Sequence, residues 1–519
     1  MKLGRAARLA ALFICGLVPM AAAQDVTLTS RDGAVEVSGT LLGFDGEFYR
    51  VETIYGELTV DGSGVTCEGP ACPNLQDFIA ELAISGSAAM GSVLVPALLE
   101  GFALRYGYGV ERAAIDPSRF VITLTDQATG KPRAVFTFRA SNTDEGFADL
   151  LVNEADIVMA LREIRPDERQ RAREAGMGDM TGANRSRVIA LDALVPIVAP
   201  GNPVTQLAPT ELARIMAGEI TNWQEVGGVD APIAVHLPAL DGGLGQAAFD
   251  LLMSPAKRRF AGGVTEHARG VELTEAVLAD PFAIGLSSYA EVGRAVALPL
   301  TGACGFTLRA GRRTIKTEDY PLTTPMFLYT PARRLPKIAR EFLAFTRSQA
   351  AQIVIRRAGF VDQAPEEVPI DLQGDRFANA LSSAGPEITL QELQRMTRTL
   401  RGMSRLTTSF RFETGSARLD AQSRSNVQQM ARALETGRYD ARRILLAGFS
   451  DGEGAAGANR DIALRRAEAV RRAIIAAAET ANLDRVQIDV DAYGEAMPMA
   501  CDDSAWGRQA NRRVEVWVR

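Results

Sequence analysis

Between about residue 78 and residue 362, apolar runs of strand length alternate with amphipathic runs of helix length, and this alternation restricts the possible folds more than any other feature. The stretch "ELAISGSAAMGSVLVPALLEGFALRYG" passes from the first pattern to the second, "ADIVMAL" and "RVIALDALVPIVAP" read as buried strands, and "APTELARIMAGEI" reads as a helix. Alternation sustained over this length predicts an α/β body with mostly parallel strands. Ahead of it, residues 25–74 hold short alternating runs ("VTLTS", "AVEVSGTL", "FYRVETI", "ELTV") broken by "RDG", "FDGE" and "YGE" turns, the pattern of a small β-module. Beyond it, residues 363–403, with "DQAPEEVPIDLQGD" and the helical "LQELQRMTRTLRGM", read as a linker. Residues 404–519 then give strand "TTSFRF", a helix from Asp420, strand "RILLAGFS", a helix to about Glu479, strand "VQIDVDAY" and a final strand "RRVEVWV", a βαβαββ order. The expected class is multidomain α/β and α+β, with boundaries at 24–76, 77–362, 363–403 and 404–519, because 519 residues exceed what one ordinary core organises.

The first 23 residues, "MKLGRAARLAALFICGLVPMAAA", combine a basic start, a short apolar run and a small-residue site before Gln24, which predicts a cleaved secretory signal peptide and an exported chain. Cys15 follows Phe13 and Ile14 where a lipoprotein box needs small residues, so lipid attachment is not expected. Loss of Lys2, Arg5 and Arg8 with the leader takes the net charge of −6 to about −9, which argues against a general nucleic-acid binder. An oxidising compartment permits disulfides: Cys67 and Cys72 in "CEGPAC" are favoured as a local pair, whereas Cys304 and Cys501 either bridge distant regions or remain buried thiols. With only His236 and His267, and no nucleophile–base pair or phosphate-cradling lysine loop, the chain reads as a non-enzymatic binder with no metal or cofactor expected.

In the last unit one arginine stands apart. At 100° per residue, the apolar positions Ala463, Ala467, Val470, Ala473 and Ile474 centre near about 75° from Ile462, and Arg466 falls near about 40°, inside that stripe. Arg465, Arg471 and Arg472 fall outside it. An inward arginine is costly unless an anion meets it. Asp451 follows the strand "ILLAGFS", and Asn459 shares the face of Arg466. The two charges either neutralise each other or hold an amine and a carboxylate between them.

The segments "SGSAAM", "ADIVMALREI", "RVIALDALVPIVAPGNPVTQLAPTELARIMAGEITNWQEVGG", "EDYPLTTPMFLYT" and "FLAFTRSQAAQIVIRRAGFV" resemble PstS-like phosphate-binding proteins of the periplasmic substrate-binding class. The resemblance implies two α/β lobes joined by hinge strands around a ligand cleft, in which backbone N–H groups, hydroxyls and an arginine gather around a small anionic solute. Its candidates here are Ser85, Gly86, Ser87, Ser141, Asn142, Thr143 and Arg162. Two departures weaken phosphate as the ligand. "VHLPALDGGLGQAAFD" stands where the family has an arginine and a Ser-Gly-Thr loop, and Ala89 stands where a threonine is common.

"FRFETGSARLD", "GFSDGEGAAGANRDIALRRAEAV", "AYGEAMP" and "WGRQANRRVEVWV" resemble the OmpA C-terminal family of peptidoglycan-binding domains. That resemblance implies that Asp451 and Arg466 hold the ammonium and carboxylate of diaminopimelate in the cell-wall stem peptide. It further implies that Asn459 fixes the loop or touches the peptide, and that Asn511, Arg512 and Arg513 clamp the last strand. Together the resemblances imply a periplasmic, cell-wall-associated protein of a Gram-negative envelope, near the outer membrane. It would present a solute-binding body, with phosphate capture for an ABC transporter or a ligand-free scaffold for an envelope partner as the alternatives.

Overall fold

The structure is a computed structural model and describes residues 25–74, 78–182, 184–413 and 415–519. The leader expected over residues 1–23 lies outside the described residues. The described residues divide into two compact units: those up to residue 80 with 334–338, and those of 81–333 with 339–519.

In the first unit, β1 (Asp25–Ser30), β2 (Glu36–Phe44), β3 (Phe48–Thr53), β4 (Gly56–Asp61) and β5 (Val65–Glu68) form a five-stranded sheet in the order β4-β3-β2-β1-β5. Alternation puts Val26, Leu28, Tyr49 and Val51 into its small core. Cys67 and Cys72 are disulfide-bonded at its end.

The second unit begins with the α/β body. Its first lobe contains β6 (Ala80–Ser87), α1 (Val95–Tyr106), β7 (Tyr108–Ala114), β8 (Arg119–Asp126), β9 (Pro132–Ser141), α2 (Thr143–Leu151), β10 (Ile157–Ala160) and α3 (Pro166–Glu174). The strand β11 (Ser186–Val198) crosses into a second lobe with α4 (Pro209–Met216), β12 (Ala234–Pro238), α5 (Gly243–Ala248), β13 (Thr265–His267), α6 (Gly270–Ala279) and β14 (Ala283–Ser288). Short pairings β15 (Val296–Ala297), β16 (Leu300–Thr301) and β17 (Thr307–Leu308) precede α7 (Arg312–Lys316), and β18 (Thr323–Tyr329) returns to the first lobe, which α8 (Lys337–Phe345) and α9 (Gln349–Arg357) complete. One sheet runs through both lobes in the order β13-β12-β14-β11-β18-β10-β6-β9-β8-β7.

The expectation of mostly parallel strands is corrected. β6 pairs parallel with β10, and β12 with β13 and β14, but β11 and β18 pair antiparallel with each other and with their neighbours. The reason is topological: a strand that crosses between lobes and one that returns must run in opposite directions. The meander β7-β8-β9 adds two antiparallel ladders, joined by turns rather than crossover helices. Phe102, Phe136 and Phe138 are fully buried in the first lobe, each burial contributing about 1.5–3 kcal/mol.

Residues 363–403 do not run as a free connector. β19 (Glu367–Pro369) pairs with β20 (Ser404–Phe410), and α10 (Gly374–Ser382) and α11 (Leu390–Leu400) bury Ala380, Leu393, Met396 and Leu400 against Leu445, Phe449 and Trp517. The apolar stripe of "LQELQRMTRTLRGM" needs such a partner, and one face of the last sheet supplies it. Beyond β20 follow α12 (Ala421–Glu435), β21 (Arg443–Phe449), α13 (Ala456–Ala477), β22 (Gln487–Gly494), α14 (Ala505–Asn511) and β23 (Arg513–Val518), in the sheet order β19-β20-β23-β21-β22. The seven-residue α14, capped by Ser504, adds to the expected βαβαββ order.

The α/β body and the C-terminal domain are packed together within this unit. Cys304 and Cys501 are disulfide-bonded, and the indole N–H of Trp506 donates to the carbonyl of Leu251 at 2.7 Å. Both contacts reach the second lobe, while Arg424 pairs with Glu163 of the first. Asp319, 2% exposed, accepts from Arg405 at 2.8 Å and from Arg411 at 3.0 Å, two arginines from the C-terminal domain.

Candidate functional sites

The candidate solute-site residues of the α/β body lie around the ends of β6, β9, β10 and β12. Gly86 sits at φ +125°, and a Cβ there would lie 2.1 Å from the carbonyl oxygen of Met159, so only glycine lets β6 pair this closely with β10. Ser85 is engaged within its own lobe: its hydroxyl donates to Asp149 at 2.5 Å, and Asp149 also accepts from Arg139 at 2.7 Å. Ser87 is fully buried with no hydrogen-bond partner, and the hydroxyl of Ser141 is likewise unpartnered. Across from Ser87 is Gly243 at the start of α5, where a Cβ would approach the Ser87 hydroxyl to 2.9 Å. Asn142 caps α2 through its carbonyl oxygen, and its amide donates to the carbonyl of Asp241 at 2.9 Å, a direct contact between lobes. Thr143 accepts from the backbone N–H of Leu161 at 3.1 Å.

Arg162, the arginine expected to meet an anion, is instead engaged by carboxylates. It donates to Glu168 at 2.7 and 2.8 Å and pairs with Asp144, and these partners, opposing its burial, hold its pKa above the usual arginine value. These strand ends therefore carry hydroxyls and backbone dipoles without a free cation from Arg162. Among the described residues no group of three His, Cys, Asp or Glu could hold a metal ion, and the two histidines pair with each other at 2.9 Å.

The second site lies at the C-terminal end of β21. Gly448 faces the backbone of α13, where a Cβ would be 2.3 Å from the carbonyl oxygen of Ala463. This close approach brings the inward face of α13 up to the strand end. Asp451 is 9% exposed and Arg466 8%, so both charges are largely withdrawn from water. They do not form a salt bridge with each other: Asp451 accepts from Arg512 at 2.6 Å. Arg466 has no ion pair among the described residues and lies over the ring of Phe412, 5.2 Å from its centroid. Burial, and then the nearby charge of Arg512, hold its pKa below the usual value against the pull of Asp451. Asn459, 3% exposed, donates to Glu495 at 2.8 Å and to the carbonyl of Gly454 at 3.4 Å. Burial raises the pKa of Glu495 and of Asp502, which accepts from the backbone N–H of Gly452 at 2.7 Å.

A model of the PBP superfamily domain matches residues 76–350, more than half of the chain. The chain belongs to the PBP superfamily. A model of the OmpA family matches residues 411–512, so the two sites just described fall one in each matched region. Protein SphX of Synechococcus elongatus is 27% identical over 237 residues, 43% of this chain and 68% of that protein. The phosphate-binding protein PstS of Borreliella burgdorferi is 25% identical over 183 residues, 34% of this chain and 65% of that one. An ABC-type phosphate transport receptor from Vibrio cholerae aligns with a TM-score of 0.41 at 22% identity, over 54% of this chain and 99% of that chain.

Two features of the OmpA-family site lie beyond the sequence reading. Arg512, expected to clamp the last strand, points at Asp451, whereas Arg513 beside it is fully buried and donates to Glu515 at 2.7 Å. Asn511 does hold structure: it bonds the backbone of Met499 and Ala500 and the side chain of Asp502. Glu387, from the segment expected as a linker, accepts from the backbone N–H of Ala456 at 2.8 Å at the N-terminus of α13. The doublet Arg512-Arg513 carried the signal for the first, since successive residues entering a strand face opposite ways.

Proposed function

We propose that the OmpA-family domain anchors the protein non-covalently to peptidoglycan and that the PBP-superfamily body is thereby presented in the periplasm. The observation carrying this reading is Arg466, buried beside Asp451 with no carboxylate partner. A buried guanidinium without an anion is costly, and an external carboxylate removes that cost. Diaminopimelate offers a carboxylate to Arg466 and an ammonium to Asp451, with Arg512 sharing the Asp451 carboxylate. Asn459, tied to Gly454 and Glu495, fixes the loop over which the stem peptide lies.

The test is sedimentation of the purified protein with diaminopimelate-type peptidoglycan. The parent co-sediments, and Asp451→Ala and Arg466→Ala each release it; undiminished co-sedimentation of both variants refutes the anchor.

For the cleft, the unpartnered hydroxyls of Ser87 and Ser141 favour a small solute held by neutral donors, with phosphate a weak ligand at most. Each missing charge-assisted bond removes about 1.5–3 kcal/mol. Calorimetry with phosphate tests this, and tight stoichiometric binding would overturn it.

A further inference from the structure

A cavity of about 640 Å³ opens where the PBP-superfamily body meets α12 of the OmpA-family domain. Its lining includes Arg187 at the start of β11, Arg347 in the turn between α8 and α9, and Arg424, Arg432 and Arg438 from the C-terminal domain, and it includes no aspartate or glutamate. Three fully or nearly buried arginines of this unit have carboxylates: Arg405 and Arg411 have Asp319, and Arg513 has Glu515. Here Arg424 is paired with Glu163 and Arg438 donates to the carbonyl of Pro365 at 3.3 Å. Arg187, Arg347 and Arg432 have no ion pair among the described residues.

Arg187 and Arg432 are half-buried and Arg347 is the exposed member of the three. Loss of water lowers the pKa of each below the usual arginine value; the charges of Arg187 and Arg432 add to the effect at Arg347 and that of Arg432 adds to it at Arg187, while Glu435 opposes it at Arg432. Two buried donor atoms at the same cavity, Nε of Arg187 and Nε2 of Gln363, also have no acceptor. Like charges converging on one cavity, and two buried donors without a protein acceptor, favour an anion there. A ligand with several anionic oxygens resolves all of it, because a guanidinium fork matches phosphate and carboxylate oxygens alike.

We propose that this cavity binds a compact polyvalent oxyanion, of the oligophosphate or tricarboxylate class, held between Arg187 and Arg347 of the PBP-superfamily body and Arg432 of the OmpA-family domain. The site is separate from the solute cleft and from the Asp451 site. Because its arginines come from both domains, an occupant ties the domains together, and ligand binding raises the melting temperature of the unit.

The experiment is calorimetry of the full chain at low ionic strength, with sodium tripolyphosphate and with citrate as probes. One site is expected for at least one probe, and the tighter of the two assigns phosphate or carboxylate. Arg187→Gln, Arg347→Gln and Arg432→Gln should each weaken binding about tenfold or more, the loss of one charge-assisted contact. Arg347, being exposed, can be replaced without unsettling the core. Arg471→Gln, at an exposed arginine of α13 outside the cavity lining, should leave this binding unchanged. The proposal is overturned if neither probe binds, if all three arginine variants bind as the parent does, or if Arg471→Gln weakens binding as much as they do.

Discussion

Asp319 is the buried anion on which the junction between the two domains rests, and its removal should be felt by both. It accepts from Thr317 at 2.8 Å, from Arg405 at 2.8 and 3.3 Å and from Arg411 at 3.0 Å, and both arginines are nearly inaccessible, at 6% and 3% exposed. Removing one member of a buried ion pair typically costs about 3–5 kcal/mol, because the remaining charge stays buried without a partner. Compensation pushes the expected value toward the lower end. Arg405 keeps Glu515 at 3.5 Å and Ser409 at 3.2 Å, and Arg411 keeps the carbonyls of Gln509 and Ala510, each at 2.9 Å. Asp319→Ala should therefore destabilise by about 3 kcal/mol, and Asp319→Asn, which keeps an acceptor, by roughly half of that. Urea denaturation followed by tryptophan fluorescence measures both, since Trp223 reports on the PBP-superfamily body and Trp506 and Trp517 on the OmpA-family domain. Burial alone would raise the carboxyl pKa of Asp319, but Arg405 and Arg411 outweigh it and hold it below the usual value. Its contribution is thus present above the unfolded carboxylate pKa of about 3.9 and is lost only as pH falls through the lower folded value. The gap between parent and Asp319→Ala should stay constant from pH 7 to pH 5. A loss below about 1 kcal/mol, or a gap already closing at pH 6, would refute the reasoning.

Arg466→Met keeps the stem over Phe412 and removes an unpaired buried charge, so it should abolish peptidoglycan co-sedimentation while leaving the melting temperature unchanged or higher; a clear drop in melting temperature would show that the arginine has an internal structural role. Burial pushes the Glu318 carboxyl up to about 8, aided by Asp420 and Asp319 and opposed by Arg411, and its Oε1 has no partner. With the folded pKa raised, the native state holds the extra proton and stability declines as pH rises from the unfolded value toward about 8. Glu318→Gln should therefore be more stable than the parent at pH 9, with the advantage narrowing toward pH 5, as read by thermal melts across that range. Gly86→Ala forces a Cβ to within 2.1 Å of the Met159 carbonyl at φ +125°, and chemical denaturation should show a loss of at least about 1–3 kcal/mol.

What could be read from the sequence follows from the range over which each physical signal acts. The period of apolar residues is local, so strands such as Ile157–Ala160 and Ser186–Val198 and helices such as Ala421–Glu435 were legible as elements. Strand direction is a property of how the chain returns, and nothing in "RVIALDALVPIVAP" says that its partner, Thr323–Tyr329, runs against it. The packing of residues 363–403 was hidden for a similar reason: an amphipathic helix announces that it has a partner without naming it. In the OmpA-family site, Arg466 was legible as an inward charge because one helix carries both the charge and the stripe that defines the inside. Arg512 was not, since its direction is set where α14 gives way to β23, and its partner Asp451 is 61 residues away in sequence. The arginine cavity is the extreme case. Arg187, Arg347 and Arg432 stand in three separate segments, each an ordinary surface charge in its own context, and only the docking of α12 beside β11 and the α8–α9 turn brings them to one cavity. Convergence of like charges from separate segments leaves no local trace in the sequence. The deficit it creates, three arginines without an ion pair among the described residues, becomes visible only when the partners of the arginines are followed through the fold.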